Sequence, residues 1–251
     1  MSSILFLKRI FTNRIYWLSV MAAILLLLCS TVYKEPLTGK EYILFSAFYE
    51  PVVKEAIENG MISISSIITG FDTSYLWMFC PIIVGIPCVI INRTERFIMF
   101  RTSKKRYIFS KYFSNLLASG LIMPMAYIVF GCLGLIVTDE SICNELFIKK
   151  VLSVFCLGVI STLPSIVLSE FVRNKYLILC IPFVFNYFMY IFLGNIIPYE
   201  VGKYIYPSTY QILFLYEKEM VIPCVAIIIV MVGVCGLLKK YMMERRCDCG
   251  Q

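Results

Sequence analysis

The chain has 251 residues, 60% of them hydrophobic and 16% charged, with a mean hydropathy of +0.82. A soluble domain carries about 25% charged residues, so the composition excludes a sizeable globular domain outside a membrane. The net charge of +7 is distributed segment by segment and is no signal for nucleic acid. The complete absence of histidine removes the usual general base and the commonest metal ligand.

Residues 4–14 wind into an amphipathic helix at 100° per residue. Ile4, Phe6, Leu7, Ile10 and Phe11 share one side, Lys8, Arg9, Thr12 and Asn13 the other, and Leu5 is the exception. Basic residues on the polar side suit a segment 1–14 lying in the inner headgroup layer. A plain cytoplasmic extension of the first span is the other reading.

Six apolar stretches follow, at 15–33, 75–92, 115–138, 151–169, 176–194 and 220–238, and none contains Asp, Glu, Lys or Arg. Each is long enough to cross a hydrocarbon core of about 30 Å as a helix. Lipid offers no partners for backbone N–H and C=O groups, so helix is the expected conformation. The expected fold is an all-α integral membrane protein, one transmembrane domain over 1–251. The first stretch is too long for a signal-peptide core and lacks a small-residue cleavage site, so an uncleaved span is expected.

The connecting segments alternate in charge. Segment 1–14 is net +3, 34–74 net −3, 93–114 net +6, 139–150 net −1, 170–175 net +1, 195–219 net −1 and 239–251 net +2. One alternate set holds 16 of the 23 Lys and Arg. By the positive-inside rule that set is cytoplasmic, which places both termini and the 239–251 tail inside the cell at its plasma membrane.

Within the 34–74 loop, Tyr42 to Glu58 reads as helical with a break at Pro51, and Met61 to Phe71 is apolar enough to dip into the membrane. Segment 195–219 carries Tyr199, Tyr204, Tyr206, Tyr210 and Tyr216. It reads equally as a re-entrant outer piece or as an aromatic belt at the membrane boundary. Pro81, Pro87, Pro124, Pro164, Pro182 and Pro223 lie in the spans, where proline permits a kink. Eight of the eleven cysteines fall in apolar spans as small hydrophobes. Cys143 lies alone in an outer loop, and Cys247 and Cys249 without further ligands make no metal site.

Catalytic groups are missing. There is no nucleophile-elbow serine, no paired carboxylates within a span and no G-x-x-x-x-G-K-[ST] phosphate loop. Nor is there an ionisable group inside a span of the kind ion-driven carriers use. Asn186 and Ser161-Thr162 are the main polar groups at depth, and helix-to-helix hydrogen bonding accounts for them.

The segment Arg93 to Asn115 stands out. Glu95 and Arg96 precede an apolar knob, Phe97 to Phe100; then come Arg101, Ser103, the basic triplet that includes Lys105, and Tyr107 and Lys111. A topological loop needs only the basic residues, so the knob calls for a partner or for the headgroups. A docking helix and a membrane-hugging loop are both open.

With its amphipathic start, six spans, a short acid-led helix between spans two and three, and an extended outer segment before span six, the chain resembles type-2 ABC-transporter permeases. The run Glu95…Arg101-x-Ser103…Tyr107…Lys111 is similar to that family's acid–basic–Ser–Tyr–Lys pattern; the long first outer loop departs from it. The resemblance implies that residues 94–106 form a coupling helix docked on a separate ATP-binding-cassette ATPase subunit, through Glu95, Arg96, Phe97, Phe100, Arg101, Ser103, Lys105 and Tyr107. It implies a second permease subunit in a homo- or heterodimer, and ATP and Mg held by the partner with no cofactor in this chain. The cargo would be an amphipathic peptide or lipid-like molecule, recognised by shape and apolar contact. The rival expectation is a non-transport membrane scaffold or a peptide-immunity protein.

Overall fold

The computed structural model describes residues 2–29, 32–34, 41–43, 74–92, 103–138, 145–172, 174–196 and 221–248. Seven helices run through them: α1 Ser2–Phe11, α2 Arg14–Cys29, α3 Ser74–Asn92, α4 Lys104–Thr138, α5 Glu145–Phe171, α6 Lys175–Ile196 and α7 Val221–Asp248. Two short strands, β1 Val32–Lys34 and β2 Glu41–Ile43, pair antiparallel.

Local chemistry sets the helix starts. The Asn13 side-chain oxygen accepts the Ile15 N–H at 2.9 Å and caps α2, and Asn174 does the same for Tyr176 at the head of α6, at 3.0 Å; asparagine is favoured there because it satisfies an orphan N–H. Trp17 Nε1–H donates to the Phe11 carbonyl at 2.7 Å and closes the end of α1. Between these caps the chain turns by 63° from α1 into α2.

Among the described residues, α4, α5 and α7 each hold an apolar run long enough to cross a membrane, and a fourth crossing is reached if the bent pair α1–α2 counts as one. The described apolar runs in α3 and α6, Phe79–Ile91 and Lys175–Met189, are shorter. The structure is therefore largely helical with three helices suited to a bilayer, and this falls below the six expected. Large apolar side chains on the outside, among them Leu18, Phe113, Phe188, Ile222 and Ile229, fit a hydrocarbon surround.

Other expectations are corrected. The first apolar helix ends at Cys29 and not at 33, because Val32-Tyr33-Lys34 pairs with Glu41-Tyr42-Ile43, with Lys34 opposite Glu41. A helix beginning at Tyr42 is thereby excluded for its first two residues; the rest of 44–73, like 197–220, lies outside the described residues. Helix α4 starts at Lys104 and not at 115, and α7 runs on to Asp248 through the expected tail. Charged residues end an apolar run without ending a helix, since Lys, Arg and Glu are good helix formers.

Helix α1 also differs in its setting. Phe6 and Ile10 are fully buried, and Phe6 meets Tyr107 of α4 edge to face at 5.8 Å, while Ile4 stays 70% exposed. The apolar stripe of α1 therefore divides between protein and surroundings. Tyr16 Oη–H donates to the Ala118 carbonyl at 3.1 Å and ties α2 to α4. The main core lies among α1, α2, α3 and α4, with Val154 and Leu157 of α5 packed into it.

Helix α4 packs most extensively on α5. A Cβ on Gly158 would lie 3.2 Å from the Ser119 carbonyl oxygen and 3.3 Å from Gly120 Cα, so backbone meets backbone there. Small residues permit such close approach where lipid supplies no hydrophobic force between helices. Helix α7 sits at the edge, held on α5 through Ile160, Cys224 and Ile228 and on α4 through Tyr112.

Candidate functional site

Glu95, Arg96, Phe97, Phe100 and Arg101 lie outside the described residues. Ser103 is exposed, and its carbonyl accepts the Tyr107 N–H at 2.9 Å to open α4. Lys105 is exposed two residues further on, whereas Tyr107 is 1% exposed with its ring against Phe6. Any effect of Tyr107 on a partner would thus pass through its hold on α1.

The most unusual chemistry sits just inside these residues. Lys111 on α4 and Lys239 on α7 reach the same carboxylate oxygen, Glu170 Oε1 on α5, at 3.1 and 3.4 Å. All three side chains are buried, at 0%, 0% and 2% exposure. Lys111 donates a hydrogen bond to Glu170, while the longer contact of Lys239 is supplemented by the Tyr112 ring 5.9 Å from its Nζ. Tyr112 Oη–H in turn donates to the Val232 carbonyl of α7 at 2.6 Å. Among the described residues two cations share this one anion, so Glu170 helps make burial of both lysines tolerable.

Lys111, Asn115 and Ser119 recur every four residues and share one face of α4. All three are fully buried. Ser119 shares a 3.1 Å hydrogen bond with Thr162 of α5, whose hydroxyl donates to the Val84 carbonyl of α3 at 3.2 Å; Cys88 Sγ lies 3.8 Å from it. Between the ion cluster and this hydroxyl pair, both ends of the Asn115 amide are buried without a hydrogen-bond partner among the described residues. A polar seam therefore runs inward from the charged cluster along α4 and α5.

Chemically the cluster is a crosslink. It joins the start of α4 to the ends of α5 and α7, so displacing one helix end strains the other two. The three charges escape a sequence reading because Glu170 and Lys239 abut apolar stretches, Lys111 lies one turn before another, and all three pass for loop charge. The signal was the polar spacing Lys111–Asn115–Ser119 on α4 together with Thr162, Ser165 and Ser169 on α5, both helical. Among the described residues no group of three or more His, Cys, Asp or Glu is placed to hold a metal ion. No family model, curated protein or solved structure matches this chain.

Proposed function

We propose that the chain is the membrane-spanning permease subunit of an ATP-driven exporter of the type-2 ABC class. It would cross the plasma membrane six times, with α1–α2, α3 and α6 joining α4, α5 and α7, and both termini would be cytoplasmic. A second permease subunit would complete the pathway, and a separate ATPase subunit would supply the energy and hold ATP and Mg. The cargo would be an amphipathic peptide or a lipid-like molecule, recognised by shape and apolar contact along the interface of the two permease subunits.

The observation that supports this reading is the tie from Lys111 to Glu170 and Lys239. Residues 94–102 lead directly into α4, a continuous helix of 35 residues. A push on that segment would reach Lys111 within two turns and pass through Glu170 to α5 and α7. A scaffold or immunity protein has no need of such a linkage.

The purified chain alone is expected to hydrolyse no ATP, and an ATPase subunit is expected to co-purify with it through the knob Phe97 to Phe100. Phe97→Asp would bury a charge in that contact and cost several kcal/mol. Loss of co-purification with correct membrane insertion is the expected result. Retained ATPase binding in Phe97→Asp would leave residues 94–106 as a membrane-hugging loop, and absence of any ATPase partner would favour the scaffold reading.

A further inference from the structure

Helices α4 and α7 touch at Tyr112 and part on one side of it, leaving a groove of about 410 Å³. Its walls are apolar: Phe109 and Tyr112 on α4 face Gly233 and Gly236 on α7. Gly233 leaves the space open, and Gly236 lets the Tyr112 ring approach α7. Nothing lies within 4 Å of where a Gly233 side chain would begin, and Gly236 lies against the Tyr112 ring.

Among the described residues, both charged residues in the lining are cations, Lys105 of α4 and Lys240 of α7, and no acidic side chain lines the groove. Both lysines are exposed, one helix turn or more beyond the buried Lys111–Glu170–Lys239 cluster in the case of Lys105 and adjacent to it in the case of Lys240. From Lys240 to Gly233 the groove follows two turns of α7, about 10 Å at 1.5 Å per residue. The arrangement is thus amphipathic along its length, cationic at one end and apolar below, with Phe109 standing 67% exposed at its lip.

We propose that this groove binds one anionic phospholipid, from the leaflet whose headgroups lie level with Lys105 and Lys240. The acidic headgroup sits between the two ammonium groups, and the upper acyl chains lie over Tyr112 in the space left beside Gly233. Basic pockets between membrane helices hold acidic headgroups for this reason: each lysine near the surface attracts them and the apolar walls accept the tails. A second copy of the chain would lay an apolar helix here and leave two lysines facing no anion. A soluble phosphate would satisfy the lysines and leave the apolar walls unused. The inference rests on the membrane reading of the chain and not on its assignment as an exporter.

Native mass spectrometry of the purified full chain, without any ATPase, tests it by comparing phosphatidylglycerol with phosphatidylcholine of identical acyl chains. Phosphatidylglycerol should be retained in preference by roughly tenfold or more, the scale expected of two lysines near a headgroup. Lys105→Gln with Lys240→Gln should abolish the preference, and Gly233→Phe, with both lysines present, should displace the lipid. Lys240→Gln alone, outside the 94–106 segment, should reduce the preference partly. Equal retention of the two lipids by the wild-type chain overturns the proposal, as does a preference that survives both the double variant and Gly233→Phe. Competition by inorganic phosphate as effective as by the lipid would reassign the lysines to a soluble anion. A Gly233→Phe variant that loses a dimer while keeping its lipid would assign the groove to a second copy.

Discussion

Glu170 is shared by two lysines, and that inequality sets how each member of the cluster responds to substitution. Replacing Glu170 with Gln removes the carboxylate that both buried lysines reach, and breaking a buried pair in this way costs about 3–5 kcal/mol. Replacing Lys239 with Met instead leaves the Lys111–Glu170 pair at 3.1 Å intact and puts an apolar chain near Tyr112. Removing Lys239, which makes the longer contact, should cost far less, and a well-packed apolar substitute for a buried ion is often neutral. The thermal unfolding midpoint in detergent is expected to fall steeply for Glu170→Gln and little for Lys239→Met. Because the cluster is buried, salt should change neither result much. The reverse order would mean that Lys239 and not Glu170 is the keystone. If the chain is the permease proposed above, Glu170→Gln should also lower cargo export per ATP hydrolysed, since the crosslink between helix ends is lost.

At the scale of helices, the α4–α5 seam and the outer face of α7 offer opposite tests of glycine. Gly158→Val would drive a branched side chain into the Ser119 carbonyl and the Gly120 backbone, which cannot swing aside. Overpacking of this kind costs about 1–3 kcal/mol, and it would stretch the Ser119–Thr162 bond as the helices part. Gly233→Ala meets open space and gains up to about 1 kcal/mol of helix propensity. Unfolding midpoints should therefore move down for Gly158→Val and up or not at all for Gly233→Ala. A tolerant Gly158→Val would show that the seam is looser than backbone contact. The apolar stretches announced where these helices lie, because a run without charge is legible at any register. Their ends were less so: Lys104 to Lys111 and Lys239 to Asp248 extend α4 and α7, since nothing in a charged residue stops a helix. The strand pair was missed because Val32-Tyr33-Lys34 gains its structure only from partners seven to eleven residues away, and the ion cluster because its three members come from helices remote in sequence.

For the whole molecule, the contacts decide which helix ends share a face. Lys111 lies near the start of α4, Glu170 near the end of α5 and Lys239 near the end of α7, and their mutual contact gathers those ends together. The N-terminal helix joins them, since Ser114 Oγ–H donates to the Ser3 carbonyl at 3.2 Å and Phe6 packs on Tyr107. These ends adjoin segments 1–14, 93–114, 170–175 and 239–251, the same set that holds 16 of the 23 basic residues. Charge bias and packing are independent observations, and both group the same segments. If that face is the cytoplasmic one, single cysteines placed in an otherwise cysteine-free chain should separate cleanly under an impermeant thiol reagent in intact cells. Glu55→Cys and Glu140→Cys, from the other set of segments, should react from outside, and Lys104→Cys should react only after the membrane is opened. Equal reactivity at 104 and 55 would put the two sets on one side. The positive-inside assignment, the six crossings and the route from residues 94–106 through α4 would then fall together, while the buried contact of Lys111, Glu170 and Lys239 would stand as a feature of packing alone.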